Sequence, residues 1–169
     1  MWDASTPPPN VPPGFDAAAG YIGGDTPHVW TRDEWARLGK LPKLPIWVQS
    51  VPTTAGRARA EAFVALEQLY HIGCPPGHAV ALDVETAADA AYIEAFGAVM
   101  RWAGFRTWVY GSRSTVFANP PLDGYWVADY TGAPHFPAGP TVRACQWQAG
   151  KLIDRSVVRW WQWRYRLWR

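Results

Sequence analysis

Between Leu44 and Ser112 the chain alternates short apolar runs with long helical stretches, and this alternation limits the fold more than any other feature. Leu44-Pro-Ile-Trp-Val-Gln-Ser50 reads as a strand, with Pro45 at its start, where a missing N–H does least harm. Thr53-Thr54 opens a long helix in which Ala62, Phe63, Leu66, Leu69 and Tyr70 recur at helical spacing, and Gly73 ends it. His78-Ala-Val-Ala-Leu-Asp83-Val-Glu85 is the next strand. Thr86 caps a second long helix, with Tyr92, Phe96, Val99 and Met100 inward and Gly104 as the stop. Arg106-Thr-Trp-Val-Tyr110-Gly-Ser112 is a third strand. Repeated strand–helix units of this kind imply a parallel sheet with helices packed on it.

The flanks are less regular. Residues 1–13 are proline-rich and read as an extended arm. Gly14-Phe15-Asp16 is a short strand-like piece ending in an acid, and Tyr21-Ile-Gly-Gly24 a second strand whose glycines allow close backbone approach. Thr31, with Glu34 three residues on, forms a capping-box pattern at the start of a short helix. After Ser112 come Tyr125-Trp-Val-Ala-Asp129-Tyr, Thr141-Val-Arg-Ala-Cys-Gln146-Trp147 and Leu152-Ile-Asp154, with short loops and no full-length helices. The expected fold is α/β: a compact, modified or incomplete (β/α) barrel of the TIM type, since a complete one takes about 250 residues and this chain has 169. The division expected is an arm over 1–13, the barrel over 14–158 and a cationic tail over 159–169.

The middle strand carries the chemistry. Residues i and i+2 of a strand share a face, so Asp83 and Glu85 lie together, at the end where parallel α/β folds bind ligands. Two like charges this close oppose each other's ionisation, which favours one protonated carboxyl beside a carboxylate. The plainer reading is a pair of acids that cap the next helix or meet an arginine. In a barrel, however, acids ending at least four strands (Asp16, Asp83 with Glu85, Asp129, Asp154) converge on one rim, which solvation alone does not explain.

Other chemistries find little support. No apolar run approaches the ~18 residues of a membrane span. The N-terminus lacks the basic and apolar regions of a signal peptide, so either export takes another route or the chain is a mature or trimmed form. Cys74 and Cys145 fit no metal or redox spacing and read as two free buried thiols. The histidines at 28, 71, 78 and 135 share no metal-ligand spacing, Ser112 and Ser114 lack a nucleophile elbow, and Gly23-Gly24 lacks a phosphate-loop lysine. No cofactor is implied. Asp89 and Asp123 read as structural, and Trp47 and Trp108, in mid-strand, as core.

With the acids placed, Gly-Phe-Asp16, Leu-Asp83-Val-Glu85, Tyr110-Gly-Ser, Tyr-Trp126-Val-Ala-Asp129-Tyr and Gln146-Trp147 with a later Asp154 resemble the family 25 glycoside hydrolases. The pattern is most similar to their lysozyme-like relatives in actinobacteria and phages, from about Pro12 to Val158. The resemblance implies a modified (β/α) barrel that cleaves the β-1,4 bond after N-acetylmuramic acid in peptidoglycan. It implies Glu85 as the acid that protonates the leaving oxygen. Asp83 would steady the substrate's acetamido group in a substrate-assisted route. Asp16, Tyr110 and Asp154 match positions on the floor of such sites, and Trp126 and Asp129 would stack against and hydrogen-bond a sugar.

The tail is a separate matter. A net charge of +2 hides four arginines and no acid in the last eleven residues. Arg159-Trp160-Trp161-Gln-Trp163-Arg164-Tyr-Arg166-Leu-Trp168-Arg169 resembles the tryptophan/arginine-rich cationic antimicrobial peptides, which sit at anionic membrane interfaces. The alternative is that Trp160, Trp161 and Trp163 fold back to cover an open side of the barrel. No nucleic-acid motif accompanies the tail. Three functions follow as expectations: a peptidoglycan hydrolase, a non-catalytic cell-wall glycan-binding domain with a membrane-active tail, and killing by the tail alone. The setting expected is extracellular or at the cell envelope, and the state a monomer.

Overall fold

The computed structural model describes residues 1–51, 53–84, 90–139, 141–159 and 167–168. Eight strands close into a barrel in chain order: β1 (Trp2–Asp3), β2 (Ala18–Gly24), β3 (Lys43–Val48), β4 (Ala79–Asp83), β5 (Arg106–Ser112), β6 (Gly124–Ala128), β7 (Val142–Gln148) and β8 (Asp154–Val158). Neighbours from β1 to β7 run parallel. β8 is antiparallel to both β7 and β1 and shuts the ring. The expected barrel is therefore present in a modified form, complete in strands and sparse in helices. Those helices are α1 (Arg32–Arg37), α2 (Ala55–His71), α3 (Ala90–Trp102) and the short α4 (Arg113–Phe117). Among the described residues, no helix is long and apolar enough to cross a membrane.

Local sequence explains the helices. Thr31 and Glu34 close the capping box of α1. Thr54 caps α2 by accepting from the Arg57 N–H at 3.2 Å, and Gly73, at φ +84°, leaves it. On α2 the buried stripe is mostly small: Ala58, Ala62, Ala65, Leu66 and Leu69. Phe63 and Tyr70, which share the helical spacing, are more than half exposed. On α3, Tyr92, Phe96 and Met100 are buried and Val99 lies at the margin of the core. The expected cap Thr86 lies outside the described residues.

Alternation along each strand divides the core in two. Val80 and Leu82 belong to the outer layer shared with α2 and α3. Ala79 and Ala81 face inward with Leu44, Ile46, Trp108, Trp126 and Ala144 to fill the barrel. Trp47 and Trp108 are both core, 4% and 2% exposed. At Gly24, φ is +87° and a Cβ would strike the Val48 carbonyl, so only glycine permits this approach of β2 to β3.

Two strands differ from expectation. The first is Trp2–Asp3, within the stretch read as an arm, and Gly14-Phe15-Asp16 is part of its connection to β2. The intervening prolines have no N–H to give a ladder, whereas Trp2 donates its N–H to the Ala17 carbonyl at 3.0 Å and is fully buried. The last strand is Asp154–Val158 rather than Leu152-Ile-Asp154. Leu152 is 86% exposed, and the Gly150 N–H donates to Asp154 Oδ1 at 2.8 Å, which starts the strand at the aspartate.

The ends of the cationic tail are bound to the barrel. Arg159 donates its N–H to the Arg143 carbonyl and its Nε to Val142 O, both at 2.9 Å, with its guanidinium over Phe136. Leu167 is 3% exposed and joins the inner core beside Met1, Ala17, Leu44 and Ala79. Trp168 exchanges backbone hydrogen bonds with Lys43 (2.7 and 3.2 Å) and stacks on Trp35 at 5.8 Å. Membrane contact was expected of Arg159 and Trp168, but both make their contacts within the protein, where packing on Trp35 of α1 takes the Trp168 indole partly out of water. Trp160, Trp161, Trp163, Arg164, Arg166 and Arg169 lie outside the described residues. Cys74 and Cys145 are free and buried, as expected.

Candidate active site

The carboxyl ends of the strands carry a buried polar layer. On β4 the inward series Ala79, Ala81 ends at Asp83, which is 2% exposed. The neighbouring backbones fix this end: the Gln49 N–H donates to the Asp83 carbonyl and the Val84 N–H to the Tyr110 carbonyl, each at 2.9 Å. Asp83 pairs in register with Val48 on one side and Tyr110 on the other, and Tyr110 with Trp126. On β1, Met1 faces in and Trp2 out, so Asp3 faces in, 3% exposed and in register with Asp154. Both Asp3 and Asp83 act electrostatically on the Tyr110 hydroxyl and, with burial, hold it well above the ordinary tyrosine range. The two carboxyls thus converge on one phenol.

Beneath this layer the barrel is aromatic. Trp126, 1% exposed, lies 4.6 Å from Tyr110 between ring centroids and donates its Nε1 to Ser156 Oγ at 3.0 Å. Tyr110 donates to Gln146 Oε1 and also hydrogen-bonds Tyr130. Asp3, Asp83, Tyr110, Gln146 and Ser156 therefore form a polar sheet over an apolar plug. Asp3 is the costly member. Burial first, and Asp154 second, push its carboxyl up to about 8, with the N-terminal ammonium opposing. Its Oδ2 has no hydrogen-bond partner among the described residues. A buried neutral carboxyl with an unpaired oxygen is unusual enough to mark a functional position.

Behind β4 a second network braces the site. Glu61 of α2, 4% exposed, accepts from Trp47 Nε1 at 3.3 Å, from Arg57 Nε at 2.6 Å and from the Tyr92 hydroxyl. It ties α2, α3 and β3 together at the level where β4 ends.

Of the residues read as site members, Asp83, Tyr110, Gln146 and Asp154 meet at the mouth. Asp154 comes there by a route the sequence did not reveal, at the start of an antiparallel strand rather than the end of a parallel one. Glu85 lies outside the described residues. Trp126 was expected as a sugar platform, but it is sealed inside the barrel, since the narrow interior needs a large side chain to fill it. Asp129, expected to bond a sugar, pairs its Oδ2 with His135 Nε2 at 3.0 Å. Asp16 sits at the amino end of β2, the opposite pole, lining an outer cleft of about 410 Å³ with Phe15, Trp147 and Arg155. The place given to Asp16 belongs to Asp3. Sequence reading missed Asp3, Tyr130 and Ser156; the one available signal was Trp2-Asp3, an apolar residue then an acid just before the proline run.

No family model and no curated protein sequence matches the chain. Solved structures match it by fold. An uncharacterized protein of B. stearothermophilus superposes with a TM-score of 0.76 at 17% identity, over 99% of this chain and 100% of that one. The modular autolysin LytC from Streptococcus pneumoniae, solved with a synthetic peptidoglycan ligand, gives 0.66 at 17% identity, over 83% of this chain and 40% of that one. GHIP of Streptococcus pneumoniae, a glycosyl hydrolase 25, gives 0.64 at 14% identity, over 86% and 77%. The chain shares its barrel fold with these proteins.

Proposed function

We propose that this protein is a peptidoglycan hydrolase of the N-acetylmuramidase type, acting at the cell envelope or outside the cell. The observation that carries the reading is the pair of inward carboxyls, Asp3 and Asp83, both buried at the carboxyl end of the barrel, Asp83 in register with Tyr110. That end holds the ligand sites of parallel α/β barrels. The shared fold adds weight, since LytC was solved with a peptidoglycan ligand.

In the proposed reaction, Asp83 accepts a hydrogen bond from the acetamido N–H of the substrate and turns the acetamido oxygen toward the anomeric carbon. That oxygen bonds to the carbon as the glycosidic C–O bond breaks, and Glu85 gives its proton to the departing oxygen. Glu85, now a carboxylate, takes a proton from the water that opens the cyclic intermediate, which restores both groups. Asp3, held neutral by burial and Asp154, donates a hydrogen bond within the same cleft.

The test is release of reducing ends from purified peptidoglycan by wild type, Glu85→Gln and Asp83→Asn. Release by wild type, with loss of about a hundredfold or more in both variants, is expected. Binding to the same peptidoglycan without release by any of the three would replace the enzyme with a glycan-binding domain.

A further inference from the structure

Tyr130 lies two residues past the end of β6 and is 58% exposed, yet its hydroxyl is tied to Tyr110. The Tyr110 hydroxyl that it meets also donates to Gln146 Oε1. Tyr130 therefore stands beside the buried polar layer with more than half of its surface open to solvent. Backbone bonds tie the turn that carries it to β7 (Asp129 N–H to Gln146 O at 2.9 Å, Gly132 N–H to Trp147 O at 3.0 Å), and one side chain joins its two limbs. His135 Nε2 meets Asp129 Oδ2 at 3.0 Å, and its Nδ1 meets the Ala133 carbonyl at 3.0 Å and Thr131 Oγ1 at 2.9 Å. Thr131 Oγ1 itself donates to that carbonyl. A carboxylate and a carbonyl only accept, so both ring nitrogens must carry protons for the contacts to be complete, which makes the imidazolium the fitting form.

We propose that Tyr130 is a wall of the barrel mouth that contacts the sugar, and that His135 is the clasp that positions it; the sugar contact rests on the glycan reading above. The groups facing His135 are Asp129 from the end of β6, the Cys145 thiol of β7 at 3.8 Å, and Arg113 of α4. Asp129 and the Ala133 carbonyl raise the imidazole above its ordinary value, while Arg113 opposes them. The Cys145 thiol is pushed up to about 11 by burial and stays uncharged. A histidine raised on folding holds its clasp fully at low pH and loses it as pH climbs through the raised value.

Two measurements test this. First, ring resonances of Tyr130 are followed by NMR from pH 5 to 9 in wild type and His135→Gln. They are expected to move with the His135 titration in wild type and to lose that transition in the variant, keeping only any change that follows Asp3. Tyr130 resonances that ignore His135 would overturn the clasp, whatever the protein binds. Second, the affinity for a soluble tetrasaccharide of alternating N-acetylglucosamine and N-acetylmuramic acid is measured in a Glu85→Gln background, which prevents turnover. Tyr130→Ala is expected to weaken binding about tenfold. Its exposure makes truncation harmless to folding. His135→Gln should lower affinity at pH 6 and remove the part of the pH dependence that follows the His135 titration, leaving the part that follows Asp3. Equal affinity of Tyr130→Ala and its parent would overturn the sugar contact. If the parent fails to bind at any pH while Tyr130 still follows His135, the glycan reading and the sugar contact fall together and the clasp stands.

Discussion

The two ends of this barrel are built from the same strands and differ in what those strands turn inward. At the floor the inward residues are Met1, Ala17, Leu44 and Ala79, and Leu167 completes them from the far end of the chain. At the mouth the same alternation turns in Asp3, Asp83, Tyr110 and Gln146. The floor gains by removing apolar surface from water. The mouth bears the cost of burying carboxyls, visible in Asp3, which stays neutral up to about 8. The difference shows a division of labour: one pole secures the fold, and the other spends part of that stability to hold reactive groups in place.

Breaking the mouth should affect chemistry far more than folding. Asp83→Asn is expected to lower reducing-end release by about a hundredfold or more. Its melting temperature should equal or exceed that of wild type, because a buried acid is replaced by a neutral amide of the same shape. A large loss of stability in calorimetry would mean that Asp83 serves the fold. Breaking the floor should do the reverse. Leu167→Ala removes a side chain that is 3% exposed and is expected to cost about 2–4 kcal/mol in urea unfolding. Its rate on peptidoglycan, per folded molecule, should not change.

Asp3→Asn sharpens the contrast through pH. Asp3 is an acid whose value rises on folding, from 3.8 to about 8. The folded state therefore binds its proton more tightly, and stability falls as pH rises between those two values. The variant lacks this term, so its melting temperature should gain on wild type steadily from pH 4 to pH 8. Parallel curves would show that Asp3 is not buried as described. The smallest effect belongs to neither pole. Trp102 on the outer face of α3 is 79% exposed, and Trp102→Ala should change stability by no more than about 0.5 kcal/mol and leave activity intact.

Much of this was legible in the chain. The helical stripes, the Thr31 and Thr54 caps and the run Ala79–Asp83 each depend on residues a few positions apart, so their pattern survives in sequence. Asp3 was illegible for the opposite reason. A two-residue strand has no alternation to read, and its identity rests on pairing with β2 and β8, which are remote in sequence. Trp126 was read as a platform because a strand-end aromatic looks the same whether it faces a cleft or a plug. For the tail the sequence left membrane contact and folding back both open, because composition shows charge and indoles but not the Lys43 backbone that receives Trp168.

By itself, then, the sequence determined the strand–helix alternation, the α/β class and the acid at the end of β4, all consequences of local periodicity and capping. The tertiary structure alone decided that the ring closes, that β8 reverses, that Asp3 rather than Asp16 joins Asp83, and that Leu167 seals the floor. Those outcomes depend on hydrogen bonds and burial between segments far apart in the chain, and a pattern read a few residues at a time carries no trace of them.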